Sequence, residues 1–398
     1  MKFSKRMDQF GEGIFSKLFE IKRLKLENGE SVIDLSVGAP NIPPAKHILE
    51  ALCAAATDEK NYIYAINDQN ALLEAVSSWY KNRYGVDLDS KSEICSLLGS
   101  QEGFAHIAMT IVDEGDLVLV PDPCYPVFAD GPRLAGATLY YMPQKKENGY
   151  VIRLQDIPED VAKRAKLMIV SYPNNPTTAM APDSFYKDLI AFAKKYDIII
   201  LHDNAYSDLV FDNKKCGSFL SFAGAKEVGV ELNSLSKTYA LAGARIGFCV
   251  GNAEVVSHLK TLKSNLDYGM FLPIQKTAIT AITSDQSCVE TTKMVYERRR
   301  DILCDGFNSI GWNMDKPEAT MFVLAAIPAH YENSELFAMD MVDKAGVMVT
   351  PGSAFGPSGE GYVRMALVQD EEILRKVIRQ VQESGICMLP YNMNTSIK

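Results

Sequence analysis

A short polar segment, residues 233–247, carries the most reactive residue pattern of the chain. Lys237 lies three residues after Ser234 and eight before Arg245, and Ser236 directly precedes it. The spacing Ser-x-x-Lys occurs in penicillin-binding enzymes, where the lysine helps to activate the serine. The same residues also suit a lysine that binds an aldehyde cofactor while the hydroxyls and the guanidinium bind its phosphate. This segment alone leaves both chemistries open.

A second candidate anion site lies earlier in the chain. Gly99, Ser100 and Gln101 precede a helical pattern at residues 104–112. Small residues at a helix start leave backbone N–H groups and the positive end of the helix dipole available to an anion. The same residues also serve as an ordinary helix cap, so the motif has meaning only in context.

Further polar candidates follow apolar runs of the sequence. Asp203 and Tyr206 come after the run at 198–201, and Asn175 and Tyr125 come after two other runs. A carboxylate at a strand end can keep a heteroaromatic nitrogen protonated, as an electron-withdrawing cofactor requires. Taken singly, each of these residues also fits turn formation or packing.

Two alternative chemistries lack their companion motifs. A penicillin-binding enzyme needs Ser-Asp-Asn and Lys-Thr-Gly downstream, and neither occurs. A dinucleotide-binding dehydrogenase needs Gly-x-Gly-x-x-Gly after a strand, whereas Gly11-Glu12-Gly13 follows no apolar run and lacks the third glycine. The sequence therefore favours the lysine-bound aldehyde cofactor.

The elements that must position these residues are predicted by hydrophobic patterning. Four β-branched apolar runs, at 117–120, 167–170, 198–201 and 228–232, alternate with helical patterns such as the one that begins near Asp183. This alternation predicts an α/β fold with a mostly parallel central sheet flanked by helices. Each run ends in a polar cluster, and ligands bind beyond the carboxyl ends of such strands. The clusters therefore predict one composite site.

The last quarter of the chain has a different pattern of helices and strands. A charged helical stretch at 289–307 is followed by strand patterns at 320–327 and 361–367 and by a closing helix at 371–383. This pattern predicts a smaller α+β domain. We expect a large cofactor-binding domain at 46–290 and a small domain formed by 1–45 and 291–398.

Composition limits the class of partner. The 398 residues include 41 basic and 50 acidic side chains, for a net charge of -9, which disfavours binding to nucleic acid or to an anionic membrane. No apolar stretch approaches the roughly 20 residues of a membrane span, and the N-terminus lacks a signal-peptide core, so we expect a cytoplasmic protein. The eight cysteines and five histidines show no clustered spacing, which predicts neither a metal site nor a disulfide framework.

In their order along the chain, the motifs at 97–103, 121–126, 202–207 and 233–247 resemble those of a known family. They are similar to the pyridoxal-phosphate-dependent aminotransferases of fold type I (class I/II), closest to the branch of the LL-diaminopimelate, aspartate and alanine enzymes. The resemblance covers nearly the whole chain. It implies pyridoxal 5'-phosphate as the cofactor and a homodimer whose active site is shared between subunits.

The resemblance also implies a role for each ring-binding residue. Lys237 would form the aldimine with the cofactor and later move a proton between Cα and C4′. Asp203 would pair with the pyridine nitrogen, and Asn175 and Tyr206 would bind the ring oxygen. Tyr125 would stack on the ring face.

The phosphate and the substrate have their own implied residues. The implied phosphate-binding residues are Ser100, Gln101, Ser234, Ser236 and Arg245. Arg364 would bind the substrate α-carboxylate, with Gly38 and Asn175 beside it. Tyr64, or its near neighbour Tyr62, would reach across from the partner subunit.

The resemblance implies transfer of an amino group between an L-amino acid and a 2-oxo acid. Carbon–sulfur β-lyases of the same fold use the same lysine, aspartate and arginine, so that reaction remains an alternative. A non-catalytic regulator is disfavoured by the joint presence of Lys237, Asp203 and Arg364 and by the lack of a helix-turn-helix extension.

Two positions depart from the family pattern. Thr178 stands where the Asn-Pro-Thr motif usually continues with glycine, and a glycine is missing from residues 65–70 after Tyr64. The first departure predicts an altered turn, and the second leaves the segment contributed across the dimer in question.

Overall fold

The computed structural model describes residues 1–387, which form two compact units. The first unit contains Met1–Phe10, Pro40–Met294 and Glu318–Thr320. The second contains Gly11–Ala39, Val295–Pro317 and the described residues from Met321 onward. Residues 388–398 of the predicted small domain lie outside the described residues.

The strands are short and fall in both units. In chain order they are β1 Ile33–Asp34, β2 Ile94–Leu97, β3 Leu117–Asp122, β4 Thr138–Pro143, β5 Ala165–Ser171, β6 Ile199–Asp203, β7 Gly229–Ser234, β8 Gly247–Gly251, β9 Phe322–Ala326, β10 Val347–Met348, β11 Thr350–Pro351 and β12 Tyr362–Ala366.

The helices separate these strands. They are α1 Ile14–Glu27, α2 Lys46–Ala56, α3 Asn70–Tyr84, α4 Ser100–Ile111, α5 Val127–Ala135, α6 Glu159–Arg164, α7 Asp183–Tyr196, α8 Ala225–Val228, α9 Leu235–Thr238, α10 Ala253–Leu266, α11 Leu272–Thr283, α12 Ser287–Ser309, α13 Ser334–Ala345 and α14 Glu371–Ser384. Within residues 1–387 no helix combines the length and the apolar character needed to cross a membrane.

The first unit is built on a seven-stranded sheet of order β2-β8-β7-β6-β5-β3-β4. Strand β8 runs antiparallel to both of its neighbours, and the other pairs are parallel. The predicted α/β class and mostly parallel sheet are confirmed. The four predicted runs correspond to β3, β5, β6 and β7, although β6 and β7 each begin one residue later than their runs.

The two faces of this sheet are covered by different helices, because side chains alternate along each strand. Ile169, Leu201 and Leu232 belong to an apolar cluster that includes Phe104 of α4. Met168, Val170 and Ile200 belong to a second cluster with residues of α3, α7 and α11. A residue's position in its strand therefore decides which helices it meets.

The second unit has the α+β composition expected of the smaller domain. Its antiparallel sheet has the order β11-β12-β9, and β1 pairs in parallel with β10. Helix α14 buries Leu374, Val377 and Val381, which recur on one helical face. The strands β9 and β12 are shorter than the runs predicted at 320–327 and 361–367.

Thr178 adopts a backbone conformation that glycine favours. Thr178 has φ 64°, in the left-handed region where a β-branched residue is an outlier and glycine is favoured. Its N–H donates to the Asn174 carbonyl at 3.0 Å, and the Asn174 side chain accepts from Thr177 N at 2.9 Å. These bonds hold the chain in a glycine-like turn although the glycine is absent.

Candidate active site

Three neighbouring strands bring polar residues to one edge of the large sheet. Asp203 at the end of β6 is in register with Ser171 at the end of β5, and Ser234 ends β7 opposite Gly247 of β8. Asp203 has the same strand parity as Leu201, and Ser234 the same as Leu232, so both lie on the α4 face of the sheet. The predicted composite site at the carboxyl ends of the strands thus has a defined face.

Asp203 is a buried carboxylate with one of its two oxygens hydrogen-bonded. Ser171 Oγ donates to its Oδ2 at 3.0 Å, whereas Oδ1 is buried and has no hydrogen-bond partner among residues 1–387. Burial raises the pKa of Asp203 to about 6, although the bond from Ser171 opposes the shift. An oxygen left in this state is suited to a charged N–H donor from a bound molecule.

The predicted phosphate-binding residues meet at the start of α4. Ser100 is the first residue of α4, and Gly99 before it has φ 81°. The Arg245 guanidinium lies against Gly99, where a Cβ would overlap it, and Arg245 Nη1 donates to the Ala242 carbonyl at 3.1 Å. A Cβ on Gly247 would come within 2.9 Å of Ser100 N. The lack of a side chain at these two glycines therefore lets the guanidinium and strand β8 approach the start of α4 closely.

The short helix α9 carries the candidate lysine. Ser234 is its N-cap and accepts from Ser236 N at 3.2 Å. Both serines are buried, and Lys237 in the middle of the turn is half-buried. The hydroxyl of Ser234 is thereby fixed next to the start of the lysine turn.

The remaining ring-side candidates follow the ends of β3, β5 and β6. Tyr125 is half-buried, and its hydroxyl donates to Gln101 Oε1 at 3.4 Å, which links it to the first turn of α4. Asn175 and Tyr206 are both buried. The first unit thus contains every predicted cofactor-binding residue.

The predicted substrate arginine lies in the second unit, on β12. Arg364 is 1% exposed, and its Nη2 donates to the Ser36 carbonyl at 2.7 Å. The guanidinium carbon lies 4.2 Å from the centre of the Phe322 ring and 4.6 Å from that of Phe355. Gly38 is close by, since a Cβ there would come within 2.5 Å of Phe322. The structure therefore brings Arg364 and Gly38 together around one phenylalanine.

The two tyrosine candidates for the partner subunit are exposed. Tyr62 is 63% and Tyr64 is 82% exposed. Tyr62 packs edge-on against Phe271 at 5.3 Å, and Tyr64 against Tyr268 at 6.1 Å. Gly269 N donates to the Ala65 carbonyl at 2.7 Å and joins the two segments. We call this surface the aromatic patch; it consists of Tyr62, Ile63, Tyr64, Ile66, Tyr268 and Phe271.

A charged cluster connects the aromatic patch segment to the cofactor side. Lys263 pairs with Glu102 in the first turn of α4, and it lies 3.3 Å from Asp267, one residue before Tyr268. His106 Nδ1 is 3.3 Å from Glu102. Glu102, His106 and Asp267 have ligand atoms within 4.8 Å of one another, and the ammonium of Lys263 already pairs with both carboxylates.

Sequence analysis missed a buried carboxylate on the opposite face of the sheet. Glu231 of β7 is fully buried and accepts five hydrogen bonds, three of them from Tyr80, Asn204 and Ser218. His202 Nδ1 lies 3.1 Å from it. Glu231 therefore holds both residues that flank Asp203. A charged residue inside an otherwise apolar strand run was the available signal.

The family model for aminotransferase class I and II matches residues 30–381. This chain belongs to that family. It is 42% identical to the LL-diaminopimelate aminotransferase of Moorella thermoacetica, over 96% of this chain and 98% of the relative. It is 44% identical to the enzyme of the same name from Syntrophobacter fumaroxidans, over 92% of this chain and 95% of the relative.

Solved structures give the same family. Substrate-bound BacF from Bacillus subtilis has a TM-score of 0.93 at 35% identity, covering 96% of this chain and 98% of that chain. A probable N-succinyldiaminopimelate aminotransferase from Thermus thermophilus has a TM-score of 0.88 at 33% identity, covering 94% and 100%. The protein is a pyridoxal-phosphate-dependent aminotransferase with a fold type I architecture, and the comparisons do not favour the β-lyase alternative.

The residues at the sheet edge fit this cofactor. The buried, unused Oδ1 of Asp203 matches the protonated nitrogen of a pyridine ring. The Arg245 guanidinium, which packs against Gly99 at the start of α4, and the N–H groups of that helix start supply donors suited to a phosphate group. The donor set therefore agrees with the ring and with the phosphate independently.

The raised pKa of Asp203 predicts a gain in stability when the charge is removed. A carboxyl whose folded-state pKa is about 6 ionises less readily when folded than when unfolded, so folding loses free energy between about pH 4 and pH 6. Asp203→Asn should raise the free energy of unfolding of the cofactor-free protein by ~1–3 kcal/mol at pH 7. Urea unfolding at several pH values measures this difference.

The difference should vanish below about pH 3, where the wild-type residue is protonated in both the folded and the unfolded state. Asp188→Asn on the exposed face of α7 is the control, and it should leave stability unchanged at both pH values. A variant that is less stable than the wild type at pH 7 would contradict the burial argument.

Proposed function

We propose that this aminotransferase transfers an amino group between LL-diaminopimelate and a 2-oxo acid, in the biosynthesis of amino acids. The observation that carries this assignment is the 42% identity to the M. thermoacetica enzyme across 96% of the chain. BacF and the T. thermophilus protein, which have other printed names, share 35% and 33% identity. The reaction class follows from the match to the class I and II aminotransferases, so the proposal concerns the substrate.

The proposed chemistry assigns each residue a task at a stated atom. Bound pyridoxal phosphate supplies an electron sink for the bond that breaks at the substrate Cα. Lys237 would hold the cofactor and, once released, its Nζ would remove the proton from the substrate Cα and return a proton at C4′ of the cofactor. Asp203 Oδ1 keeps the ring nitrogen protonated, which gives the buried oxygen its missing donor.

The other cofactor-side residues fix orientation. Asn175 and Tyr206 bind the ring oxygen, and Tyr125 stacks on the ring face. The phosphate is bound by the side chains of Ser100, Gln101, Ser234, Ser236 and Arg245. Support for the phosphate assignment comes from the contact of the Arg245 guanidinium with Gly99 at the start of α4.

We assign Arg364 to the substrate α-carboxylate, with Gly38 and Asn175 as further substrate contacts. The guanidinium is already oriented by the Ser36 carbonyl and by the rings of Phe322 and Phe355. A planar fork held in apolar surroundings binds a carboxylate by two parallel, poorly screened hydrogen bonds. This preorganisation would fix the Cα–H bond of the substrate for proton removal.

We further propose a homodimer in which Tyr64 of one subunit reaches the phosphate bound by the other. Its support is the aromatic patch, where Ile63 and Ile66 are 67% and 53% exposed beside the exposed tyrosines. Contiguous apolar surface of this kind marks an interaction site. The patch segment is also tied, through Lys263, to Glu102 in the first turn of α4.

A cytoplasmic location completes the proposal. All eight cysteines are free thiols, and four of them are buried. Persistent thiols at this number are typical of a reducing compartment.

The substrate assignment predicts a half-reaction with a single amino acid. Stopped-flow absorbance of the holoenzyme mixed with LL-diaminopimelate should show loss of the visible band of the bound cofactor, with one equivalent of 2-oxo acid released per site. Aspartate and alanine are tested separately for comparison and should react at least ~10-fold more slowly at equal concentration. This ratio corresponds to a difference of about 1.4 kcal/mol in activation free energy.

Lys237→Ala is the control for chemistry, because it should retain cofactor without releasing 2-oxo acid. Faster reaction with aspartate or alanine would overturn the substrate assignment. A visible band that persists while ammonia accumulates from a β-substituted amino acid would instead indicate elimination.

The two arginines predict opposite losses on conversion to lysine. Arg364→Lys keeps the charge but loses the planar fork, so KM for the amino acid should rise ~10- to 100-fold, a loss of roughly 1.5–3 kcal/mol. Cofactor affinity should be unchanged. Arg245→Lys should do the reverse: cofactor binding should weaken, and KM for the amino acid should stay within error. If the two variants changed KM and cofactor affinity equally, both arginine assignments would be wrong.

The shared-site proposal predicts that Tyr64→Phe weakens cofactor binding. Loss of a hydroxyl bond to phosphate should raise the cofactor dissociation constant ~10-fold. Tyr62→Phe is the matched control on the same surface and should leave it unchanged.

Mixing the Lys237→Ala and Tyr64→Phe proteins tests whether the site is shared. In a mixed dimer one site would contain both Lys237 and Tyr64 and should recover wild-type cofactor affinity and turnover. Sedimentation of the wild-type protein as a monomer, or no recovery in the mixture, would refute the proposal.

A further inference from the structure

Asp208 is a buried carboxylate that the proposed reaction does not use. It is 7% exposed and lies two residues after Tyr206. Its Oδ2 accepts a hydrogen bond from the Thr238 hydroxyl at 2.7 Å, and its Oδ1 accepts one from Arg83 Nε at 2.6 Å. Both oxygens are therefore engaged, each by a different element.

These two partners of Asp208 lie on the one-turn helix that carries Lys237 and on α3. Thr238 is the residue after Lys237 and the last residue of α9. Arg83 lies in the last turn of α3. One carboxylate thus joins the lysine turn, the turn after Asp203 and a helix on the other face of the sheet.

A parallel contact holds the same turn. The Tyr84 hydroxyl lies 2.8 Å from Ser207 Oγ, and Asn233 Nδ2 donates to the Tyr84 oxygen at 3.3 Å. Tyr84 therefore spans from the turn after β6 to the end of β7. The Asp208 bond, in contrast, reaches the last residue of α9.

The strength of the Thr238 contact comes from charge. A hydroxyl that donates to an ionised carboxylate forms a shorter and stronger bond than one that donates to a neutral oxygen. Arg83 lies against Asp208 as an ion pair, so the guanidinium and the Thr238 hydroxyl share one carboxylate. Since α9 is a single turn with few backbone bonds of its own, this side-chain bond sets the rotation of the turn.

A merely structural ion pair is the competing explanation. A buried ion pair is weak evidence for stability, because desolvation offsets the attraction between the charges. That explanation accounts for Arg83 and Asp208 as a pair. It gives no reason why the second oxygen of Asp208 binds the residue next to the lysine.

We propose that Asp208 is a positioning residue for Lys237, acting through the Thr238 hydroxyl to fix the one-turn helix that carries the lysine relative to the Asp203–Tyr206 turn. The proposal rests on the proposed role of Lys237. Without this bond the turn rotates, so that Nζ is displaced from the line of proton transfer. Substrate binding at Arg364 does not depend on the bond, so the loss falls on kcat and not on KM.

The test compares Thr238→Val with Thr238→Ser in the holoenzyme. Thr238→Val removes the hydroxyl without changing the shape, and it should lower the half-reaction rate at saturating amino acid ~10-fold, since a misplaced reacting group costs between ten- and a hundredfold. KM should change by less than ~2-fold, because the substitution leaves the contacts that bind the amino acid in the ground state intact. Thr238→Ser restores the hydroxyl and should recover most of the rate.

A second readout follows the lysine itself. The pH midpoint of the visible absorption change of the bound cofactor should move in Thr238→Val and return in Thr238→Ser. The titratable and charged groups around Asp208 are Arg83 and Tyr84 from α3, Tyr239 after α9 and Cys216 before β7. None of them changes in these variants.

Tyr239→Phe is the matched control. Tyr239 directly follows Thr238, but its hydroxyl donates to Gln286 Oε1 at 2.6 Å and not to Asp208. Tyr239→Phe therefore removes a buried hydroxyl bond from the same turn. It should lower the melting temperature without changing the pH midpoint or the rate at saturation.

Two results would overturn the proposal. One is a folded Thr238→Val protein with the wild-type rate and midpoint; the other is an equal effect of Tyr239→Phe. If Thr238→Val fails to fold, Thr238→Ala replaces it, since it also removes the hydroxyl; a wild-type rate and midpoint there would refute the role. Failure of the proposed role of Lys237 gives a different result from failure of the positioning role. It would appear as release of 2-oxo acid by the Lys237→Ala protein.

Discussion

The structure around the site depends on keeping a charged carboxylate where water is excluded. Asp203 lies at the end of a central strand with one oxygen bound by Ser171 and the other without a partner among the described residues. Its raised pKa measures the cost of that position. The fold accepts this cost at the point where a cationic ring nitrogen would compensate it, so the cofactor and the strand end form one electrostatic unit.

The opposite face of the same strand ends is held by ordinary, satisfied charges. Glu231 binds the neighbours of Asp203, and Asp208 binds the neighbour of Lys237. Each has several donors and therefore a fixed position. Glu231 and Asp208 have both carboxylate oxygens bonded and supply rigidity, whereas Asp203 on the α4 face keeps one oxygen for binding.

The sequence was sufficient for the features that are local. The apolar runs predicted β3, β5, β6 and β7 because alternation and β-branching act within a few residues. Asp203 and Lys237 could be found because each follows a predicted strand in a recognisable motif. The helix start at Ser100 was predicted four residues too late by its apolar pattern, since glycine and polar residues carry no helical periodicity.

The features that the sequence could not reveal depend on distant partners. Glu231 is satisfied by Tyr80, and Asp208 by Arg83, in each case more than a hundred residues away. A buried charge is recognisable only when its partner is known. Thr178 shows a further limit, because its left-handed backbone is imposed by bonds to Asn174 that no residue preference at that position predicts.

The five hydrogen bonds to Glu231 also have a consequence for how the large unit folds. Tyr80 of α3 lies 151 residues from Glu231, whereas the partners in β6, after β6 and in the loop at 218–219 lie within 29 residues of it, so the full set forms only when α3 docks on the sheet. A partly assembled sheet would bury this carboxylate without its full set of donors, at a high free-energy penalty. Partial assemblies are therefore disfavoured relative to both the unfolded and the complete state, and Glu231 makes assembly of the sheet cooperative.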